Sequence, residues 1–117
     1  MENKRTRRPW GFYTVINHGK NFKVKLVEVL PGKRLSLQRH KYRSEHWVVV
    51  SGKAKVVNGG NILVLNSNQS SYIPQKTLHR LENMDRKKML RIVEVQCGPK
   101  TIESDIERIE DDHGRFE

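Results

Sequence analysis

The chain has 117 residues, 35% of them hydrophobic and 31% charged, which is the size and balance of one folded domain rather than of a disordered chain. No apolar run approaches the roughly 20 residues that span a bilayer, and the basic N-terminus lacks the apolar stretch of a secretory signal. Cys97 is the only cysteine, so an internal disulfide is excluded and the cytoplasm is the expected compartment.

The net charge of +10 is unevenly distributed along the chain. Residues 103–117 contain seven acidic residues and two arginines, so residues 1–102 carry a net charge of +15. Such a field attracts anions, either nucleic acid or a phosphorylated metabolite. No helix-turn-helix, zinc-finger or RNA-binding aromatic motif accompanies the charge, and nucleic-acid binding is therefore disfavoured.

In chain order, residues 1–9 predict a basic N-terminal arm or linker that ends at Pro9, and residues 10–117 predict a single domain. The segment FKVKLVEVL, residues 22–30, alternates strictly and ends at a Pro-Gly turn, as is typical of a strand. Further strands are predicted over residues 34–38, 45–51, 53–57, 61–65, 69–73, 78–82 and 88–96.

The turns between these strands indicate the fold class. Asn58-Gly59-Gly60 is a strong hairpin signal, and many short strands at close spacing predict an all-β sandwich or barrel. Ser104, followed three residues later by Glu107, matches a capping box and allows one short C-terminal helix.

Three ligand-type side chains are close in sequence. Gln38 and His40 are two apart and share a strand face, and Glu45 returns beside them after a turn. His79 lies on another predicted strand. Two imidazoles, a carboxylate and an amide oxygen would bind one divalent ion, which could be zinc, manganese, cobalt, nickel or iron.

The spacing of these residues resembles the two cupin motifs. The first is matched by Gly32, Gln38, His40, Glu45 and Gly52, and the second by Pro74, His79 and Asn83. Gln38 stands where a histidine is usual, and Lys76 and Asn68 stand where glycines are common. The resemblance implies a cupin-type double-stranded β-helix, a jelly-roll barrel, with a metal bound by Gln38, His40, Glu45 and His79.

A narrower resemblance covers roughly residues 8–115. The blocks RPWGFYTVI, LSLQRHKYRSEHWVVVSGKAKV, SYIPQKTLHRLEN, IVEVQCG and DIERIEDDHGR are similar to the C-terminal domain of type II mannose-6-phosphate isomerases, which is usually fused to mannose-1-phosphate guanylyltransferase. In that family glutamine is the expected residue at the position of Gln38. No glycine-rich phosphate loop is present here, so guanylyl transfer is not expected of this chain, and a separate guanylyltransferase is a conceivable partner.

The resemblance implies an enzyme that interconverts mannose-6-phosphate and fructose-6-phosphate through a cis-enediol. Such a reaction needs a Lewis acid at O1 and O2 and a base that moves a proton between C1 and C2. Glu94 is the first candidate for the proton shuttle, because it and Gln96 can share an inward strand face. A hydroxide on the metal is an alternative base.

Further residues are predicted around the substrate. Arg43, beside Glu45, is the favoured cation for catalysis and phosphate binding, and Trp47 is a candidate wall of the sugar pocket. The remaining predicted substrate contacts are Arg34, Lys41, Arg80 and Gln96. Val48 and Val50 oppose Trp47 and Val49 on one strand, so both sheet faces are predicted to be covered, as in a homodimer joined sheet to sheet.

Two other functions remain open at this point. His40, Glu45 and His79 without Gln38 form a two-histidine, one-carboxylate set, which in iron(II) form would suit a cupin dioxygenase. A cupin that binds a sugar phosphate or sugar nucleotide without catalysis is the second alternative.

Overall fold

The structure is a computed structural model, and it describes residues 3–115. Eleven strands account for its regular secondary structure, in two antiparallel sheets. The strands are β1 Arg5–Arg8, β2 Gly11–Gly19, β3 Phe22–Val29, β4 Leu37–Arg39, β5 Ser44–Ser51, β6 Ala54–Asn58, β7 Asn61–Leu65, β8 Ser70–Ile73, β9 His79–Asn83, β10 Leu90–Cys97 and β11 Glu107–Glu110. Among residues 3–115 we find no helix that could cross a membrane.

The two sheets have different strand orders and share one core. The first runs β1-β2-β3-β10-β5-β8 and the second β11-β4-β9-β6-β7. Apolar side chains from both inner faces form the core between them, including Val29, Trp47 and Ile92 from the first sheet and Val56 and Leu81 from the second. This is the predicted all-β architecture, with the inner faces enclosing a cavity.

Local sequence explains several of the elements. Asn58 pairs with Asn61 across the turn that joins β6 and β7, and Gly59 has φ of 59°, so the predicted hairpin is confirmed. The predicted strand at residues 34–38 is wrong in its bounds: β4 is Leu37–Arg39, and Arg34 makes only an isolated bridge to Glu82.

The N-terminal segment predicted as an arm contains a strand. Arg5–Arg8 pairs with the start of β2, and β2 itself, Gly11–Gly19, was not predicted. The guanidinium of Arg5 lies 3.5 Å from the centre of the Phe12 ring and donates to Glu28 at 3.1 Å. These contacts with β2 and β3 hold the basic segment against the sheet, which its composition alone did not indicate.

The predicted C-terminal helix is wrong. Glu107–Glu110 is strand β11 and pairs with β4, in register Glu107 with Arg39 and Arg108 with Gln38. The Glu107 side chain is ion-paired with Arg39 rather than closing a capping box. Pairing with the open edge of β4 satisfies backbone groups that a one-turn helix would leave unpaired.

The outer face of the first sheet is apolar at its centre. Leu26, Val93 and Val48 are Cα partners across β3, β10 and β5 and point away from the core. On β5 and β8 this outer face exposes 37% of Val48, 52% of Val50 and 49% of Tyr72. The sheet therefore presents hydrophobic side chains on both sides, as the sequence predicted.

Candidate functional site

Three of the predicted ligands come together from three segments of the chain. His40 follows β4, Glu45 is the second residue of β5, and His79 is the first residue of β9. One ligand atom from each lies within 4.8 Å of the others, and this is the His/Glu cluster found among residues 3–115. All three are buried, with 3% or less of each residue exposed.

The hydrogen bonds of the two histidines fix their tautomers. A backbone carbonyl can only accept, so Nδ1 of His40 donates to Asp105 O at 2.6 Å and Nδ1 of His79 donates to Thr77 O at 2.9 Å. Each Nε2 atom is left with its lone pair toward the cluster, and Nε2 of His79 is buried without a hydrogen-bond partner. Burial lowers the pKa of His40 to about 4 and also lowers the pKa of His79, so both rings are neutral at pH 7.

Glu45 supplies the negative charge of the cluster. Its Oε1 accepts from Trp47 Nε1 at 2.8 Å and its Oε2 accepts from Arg43 Nε at 2.9 Å. Burial acts to raise the pKa of Glu45, but the charge of the Arg43 guanidinium and its hydrogen bond to Oε2 oppose this, and the pKa lies below its usual value. The carboxylate is therefore ionised at neutral pH.

Gln38 lies on the same cavity as these residues. It is the Cα partner of His79 across β4 and β9, and its amide Nε2 donates to Ser36 Oγ at 3.0 Å. That hydrogen bond uses the amide N–H and leaves the amide oxygen available. The buried and unpartnered Nε2 of His79, together with an ionised carboxylate and a second neutral imidazole, is the donor set that fits a borderline divalent metal ion.

Glu94 and Gln96 point inward from β10, as predicted. Gln96 Nε2 donates to Glu94 Oε2 at 2.6 Å. Burial and the nearby charge of Glu45 raise the pKa of Glu94 to about 8. Glu94 lines the cavity together with Glu45 and His79, so a carboxyl group that changes protonation near neutral pH shares the cavity with the ligand cluster.

Each nitrogen of the Arg43 guanidinium has a protein partner. Its Nε binds Glu45, its Nη1 donates to Ile102 O at 3.1 Å, and its Nη2 donates to Nε2 of His40 at 3.3 Å. The guanidinium lies beside the His/Glu cluster and stabilises the ionised Glu45. In this arrangement its donors are directed at the protein rather than at the open cavity.

Three predicted substrate residues lie away from the cavity. Arg34 pairs with Asp112 near the surface through Nε at 2.7 Å, and Lys41 contacts the Tyr42 ring outside the cavity. Arg80 is buried but donates to Leu35 O at 2.9 Å and to Glu110 at 3.2 Å. Arg80 points away because it follows His79 on β9 and neighbouring strand residues point to opposite faces, whereas Arg34 and Lys41 lie outside the strands. Trp47 lines the cavity as predicted.

The cavity instead takes its cations from distant parts of the chain. Lys25 on β3 is buried, donates to Glu103 at 2.7 Å and lies 4.2 Å from the centre of the Tyr13 ring. The other cationic side chains that line the cavity, besides Arg43, are Arg8, Arg108 and Arg115. Sequence reasoning missed all four. The alternation in FKVKLVEVL puts Lys25 on one face with Val27 and Val29 but did not indicate that this face points inward, as the structure shows.

Comparison with known proteins places the chain in a family. Residues 1–111 match the family described as "Mannose-6-phosphate isomerase C-terminal". Xanthan biosynthesis protein XanB of Xanthomonas campestris pv. campestris is 49% identical over 112 residues, which are 96% of this chain and 24% of XanB. A putative mannose-1-phosphate guanylyltransferase of Vibrio cholerae is 47% identical over 94% of this chain and 23% of its own length. The chain thus spans about a quarter of these relatives.

Solved structures show the same fold at low sequence identity. Oxalate decarboxylase from Bacillus subtilis has a TM-score of 0.81 at 14% identity, covering 92% of this chain and 30% of that one. A protein with a double-stranded β-helix domain from Klebsiella pneumoniae has a TM-score of 0.76 at 18% identity, covering 92% of this chain and 90% of its own. The fold is that of a cupin, and the chain belongs to the mannose-6-phosphate isomerase C-terminal family.

Proposed function

We propose that the chain is a metal-dependent isomerase that interconverts mannose-6-phosphate and fructose-6-phosphate. The observation that carries the proposal is one cavity that joins a two-histidine, one-carboxylate cluster to Glu94, a buried carboxyl whose pKa is raised to about 8. Family membership supports the substrate class, and the relatives XanB and the guanylyltransferase are themselves named for sugar-polymer or mannose-phosphate chemistry. The proposal places the activity in the cytoplasm.

His40, Glu45 and His79 would hold the divalent ion, with the Gln38 amide oxygen as a fourth ligand. A bound ion would supply Lewis acidity toward the two substrate oxygens on C1 and C2. A neutral amide in place of a fourth charged ligand would keep that acidity high. Trp47 donates to Glu45 and Ser36 accepts from Gln38, so each fixes the orientation of a ligand side chain.

Glu94 would move the proton. In the forward direction its carboxylate would take the proton from C2 of the aldose and return it to C1, while the hydroxyl proton of O2 passes to O1, so that the C1 aldehyde becomes an alcohol and the C2 alcohol a ketone. Gln96 holds the carboxyl group in place through a 2.6 Å hydrogen bond. A pKa near the working pH lets one group act first as base and then as acid.

The phosphate would bind at the cationic part of the cavity. Lys25 is the best-placed residue, because it is buried, lines the cavity and has an ammonium group free to exchange Glu103 for a phosphate oxygen. Arg8 and Arg115 line the same cavity and would add positive charge. Arg34, Lys41 and Arg80 are not part of this proposal, since the structure directs them elsewhere.

An iron(II) dioxygenase would use the same three ligands. The raised pKa of Glu94 favours the isomerase, because a carboxyl group that titrates near neutral pH can both take the proton from one carbon and return it to the next. A binding protein without catalysis would have no use for such a group.

We also propose a homodimer formed by the apolar outer face of the first sheet, with the partner surface identical by symmetry.

The test is isomerisation in D₂O followed by NMR. Mannose-6-phosphate is incubated with metal-loaded protein, and the proposal expects fructose-6-phosphate that carries solvent deuterium at C1. Glu94→Gln should slow turnover by at least about 100-fold, within the range for loss of a general base. Product formation at the wild-type rate in Glu94→Gln would contradict the role of Glu94, and absence of product with loaded wild-type protein would contradict the isomerase.

A further inference from the structure

The segment of residues 102–110 contacts His40 of the His/Glu cluster and two cations that line the same cavity. Ile102 O accepts from Arg43, Glu103 binds Lys25, and Asp105 binds His40. β11 then pairs with β4, the strand that carries Gln38. We refer to residues 102–110 as the C-terminal strap. Its residues are more than 50 positions from the first ligands in sequence.

Asp105 is the strap residue that binds the loop after β4, in which His40 lies. Its Oδ1 accepts from the backbone N–H of Lys41 and its Oδ2 from that of Tyr42, both at 2.9 Å. Its backbone oxygen accepts from Nδ1 of His40 at 2.6 Å. One residue thus binds three consecutive residues of the loop that follows β4, and it does so with every oxygen it has.

These three bonds fix both the position and the tautomer of His40. The carboxylate clamps the loop backbone against the strap, which keeps the Asp105 carbonyl opposite the imidazole ring. The carbonyl can only accept a hydrogen bond, so Nδ1 of His40 carries the hydrogen and Nε2 is available as a ligand atom. For His79 the same bond comes from Thr77 O, two residues away on the same segment, so only His40 depends on a distant part of the chain.

We propose that Asp105 is a positioning residue for the metal centre, which sets the affinity of the site by holding His40 in its ligand tautomer. The inference rests on the proposed metal site and names a residue outside the ligand set. In Asp105→Asn one amide oxygen still accepts an N–H, while the amide nitrogen faces the other N–H and repels it. The position of the Asp105 carbonyl relative to the loop that carries His40 is then no longer fixed. Loss of such an outer partner costs about 10- to 100-fold in metal affinity.

Asp85 provides a matched control. Its Oδ1 accepts from the backbone N–H of Lys87 at 2.8 Å and of Lys88 at 3.2 Å, and its own backbone oxygen accepts from Gly32 N at 2.9 Å. Like Asp105 it accepts backbone N–H groups with its carboxylate and a further hydrogen bond with its carbonyl, but in a loop that contributes no residue to the ligand cluster. In Asp85→Asn the one amide oxygen can still accept both N–H groups, and the substitution should leave metal affinity unchanged.

The experiment measures zinc affinity of the full chain by competition with a chromogenic chelator, with cobalt absorption as a second signal for ligand geometry. We expect Asp105→Asn to bind zinc about 10- to 100-fold more weakly than wild type, with an altered cobalt spectrum, and Asp85→Asn to match wild type. Equal affinities in wild type and Asp105→Asn would overturn the inference while leaving the metal site intact. Wild-type protein that takes up no metal would overturn the proposed function instead.

The tautomer gives a readout that needs neither metal nor a variant. Nitrogen-15 NMR of the metal-free wild type should show His40 protonated at Nδ1, and in Asp105→Asn the signals should indicate a mixture of tautomers. Protonation at Nε2 in the wild type would overturn the inference even if the variant failed to fold.

Discussion

Nε2 of His40 lies 3.2 Å from Oε2 of Glu45, although the proton of His40 is on Nδ1 and the ring is neutral. Two acceptor atoms thus face each other in a buried site, and the unpartnered Nε2 of His79 lies within 4.8 Å of them. Such a cluster is costly without a cation. Arg43 supplies one positive charge, and a divalent ion would bind all three ligand atoms together.

His79→Phe separates stability from metal binding. The substitution removes the unpartnered Nε2 and also the Nδ1–H that donates to Thr77 O, and it keeps an aromatic ring, so these opposing effects should leave the unfolding free energy of the metal-free protein within about 1 kcal/mol of wild type. Zinc affinity, measured by isothermal titration calorimetry, should fall by more than the roughly 100-fold that loss of an outer-shell partner costs.

His46→Phe is the control for that variant. His46 lies on the outer face of β5 with its ring centre 4.6 Å from that of Tyr72, so the substitution should leave zinc binding unchanged. Wild-type zinc affinity in His79→Phe would show that His79 is not a ligand.

The protonation of Glu94 predicts how stability depends on pH. Its pKa is 4.5 in the unfolded chain and about 8 in the folded one, so between these values the folded state holds a proton that the unfolded state has released. Stability of the metal-free protein therefore falls as pH rises from about 4.5 to 8, by up to about 1.4 kcal/mol per pH unit. Glu94→Gln cannot ionise and should lack this contribution.

Urea unfolding at pH 5 and pH 8 measures the difference. The gain in stability of Glu94→Gln over wild type should be larger at pH 8 than at pH 5. Glu82→Gln, on β9 outside the cavity, serves as the control. A constant difference between Glu94→Gln and wild type at both pH values would contradict a raised pKa.

Lys25→Met tests the phosphate site. Loss of a hydrogen bond to a charged group costs about 1.5–3 kcal/mol, so KM for mannose-6-phosphate should rise about 10- to 100-fold while kcat changes little. Lys23→Met is the matched control, because Lys23 also binds Glu103, at 3.2 Å, but does not line the cavity. Equal KM values for the two variants would remove Lys25 from the substrate site.

Val48→Lys tests the homodimer. Val48 lies on the apolar outer face of the first sheet and is a Cα partner of Val93, so two facing lysines at the symmetric interface would be buried without partners. Light scattering should show a dimer in the wild type and a monomer in Val48→Lys. Ile62→Lys, on β7 of the other sheet, should remain dimeric; a wild-type monomer would contradict the proposed interface.

The convergence of His40, Glu45 and His79 could be predicted because their order and spacing resemble the two cupin motifs. Strand alternation and one short turn bring His40 and Glu45 together, whereas His79 is distant in sequence and only the motif resemblance joined it to them. The inward direction of Glu94 and Gln96 followed from alternation on one strand. The hairpin at Gly59 followed from its turn residues.

The cations and the strap could not be predicted, because both depend on pairing between distant strands. Lys25 enters the cavity only because β3 turns its Lys25 face inward, and a strand with hydrophobic residues on both faces does not reveal which face that is. β11 forms because the edge of β4 is open, whereas the local Ser104 and Glu107 pattern favoured a helix. Pairing between distant strands thus decides both the direction of Lys25 and the conformation of residues 107–110.

Metal reconstitution of the isomerase tests the central claim most directly. Protein stripped with a chelator is reloaded in turn with zinc, cobalt, manganese, nickel and iron(II), and conversion of mannose-6-phosphate to fructose-6-phosphate is followed in a coupled assay, with His79→Phe in parallel. The account predicts no turnover in the stripped protein, restored turnover with at least one metal, and none in His79→Phe. Stoichiometric metal uptake without turnover under any condition would contradict it.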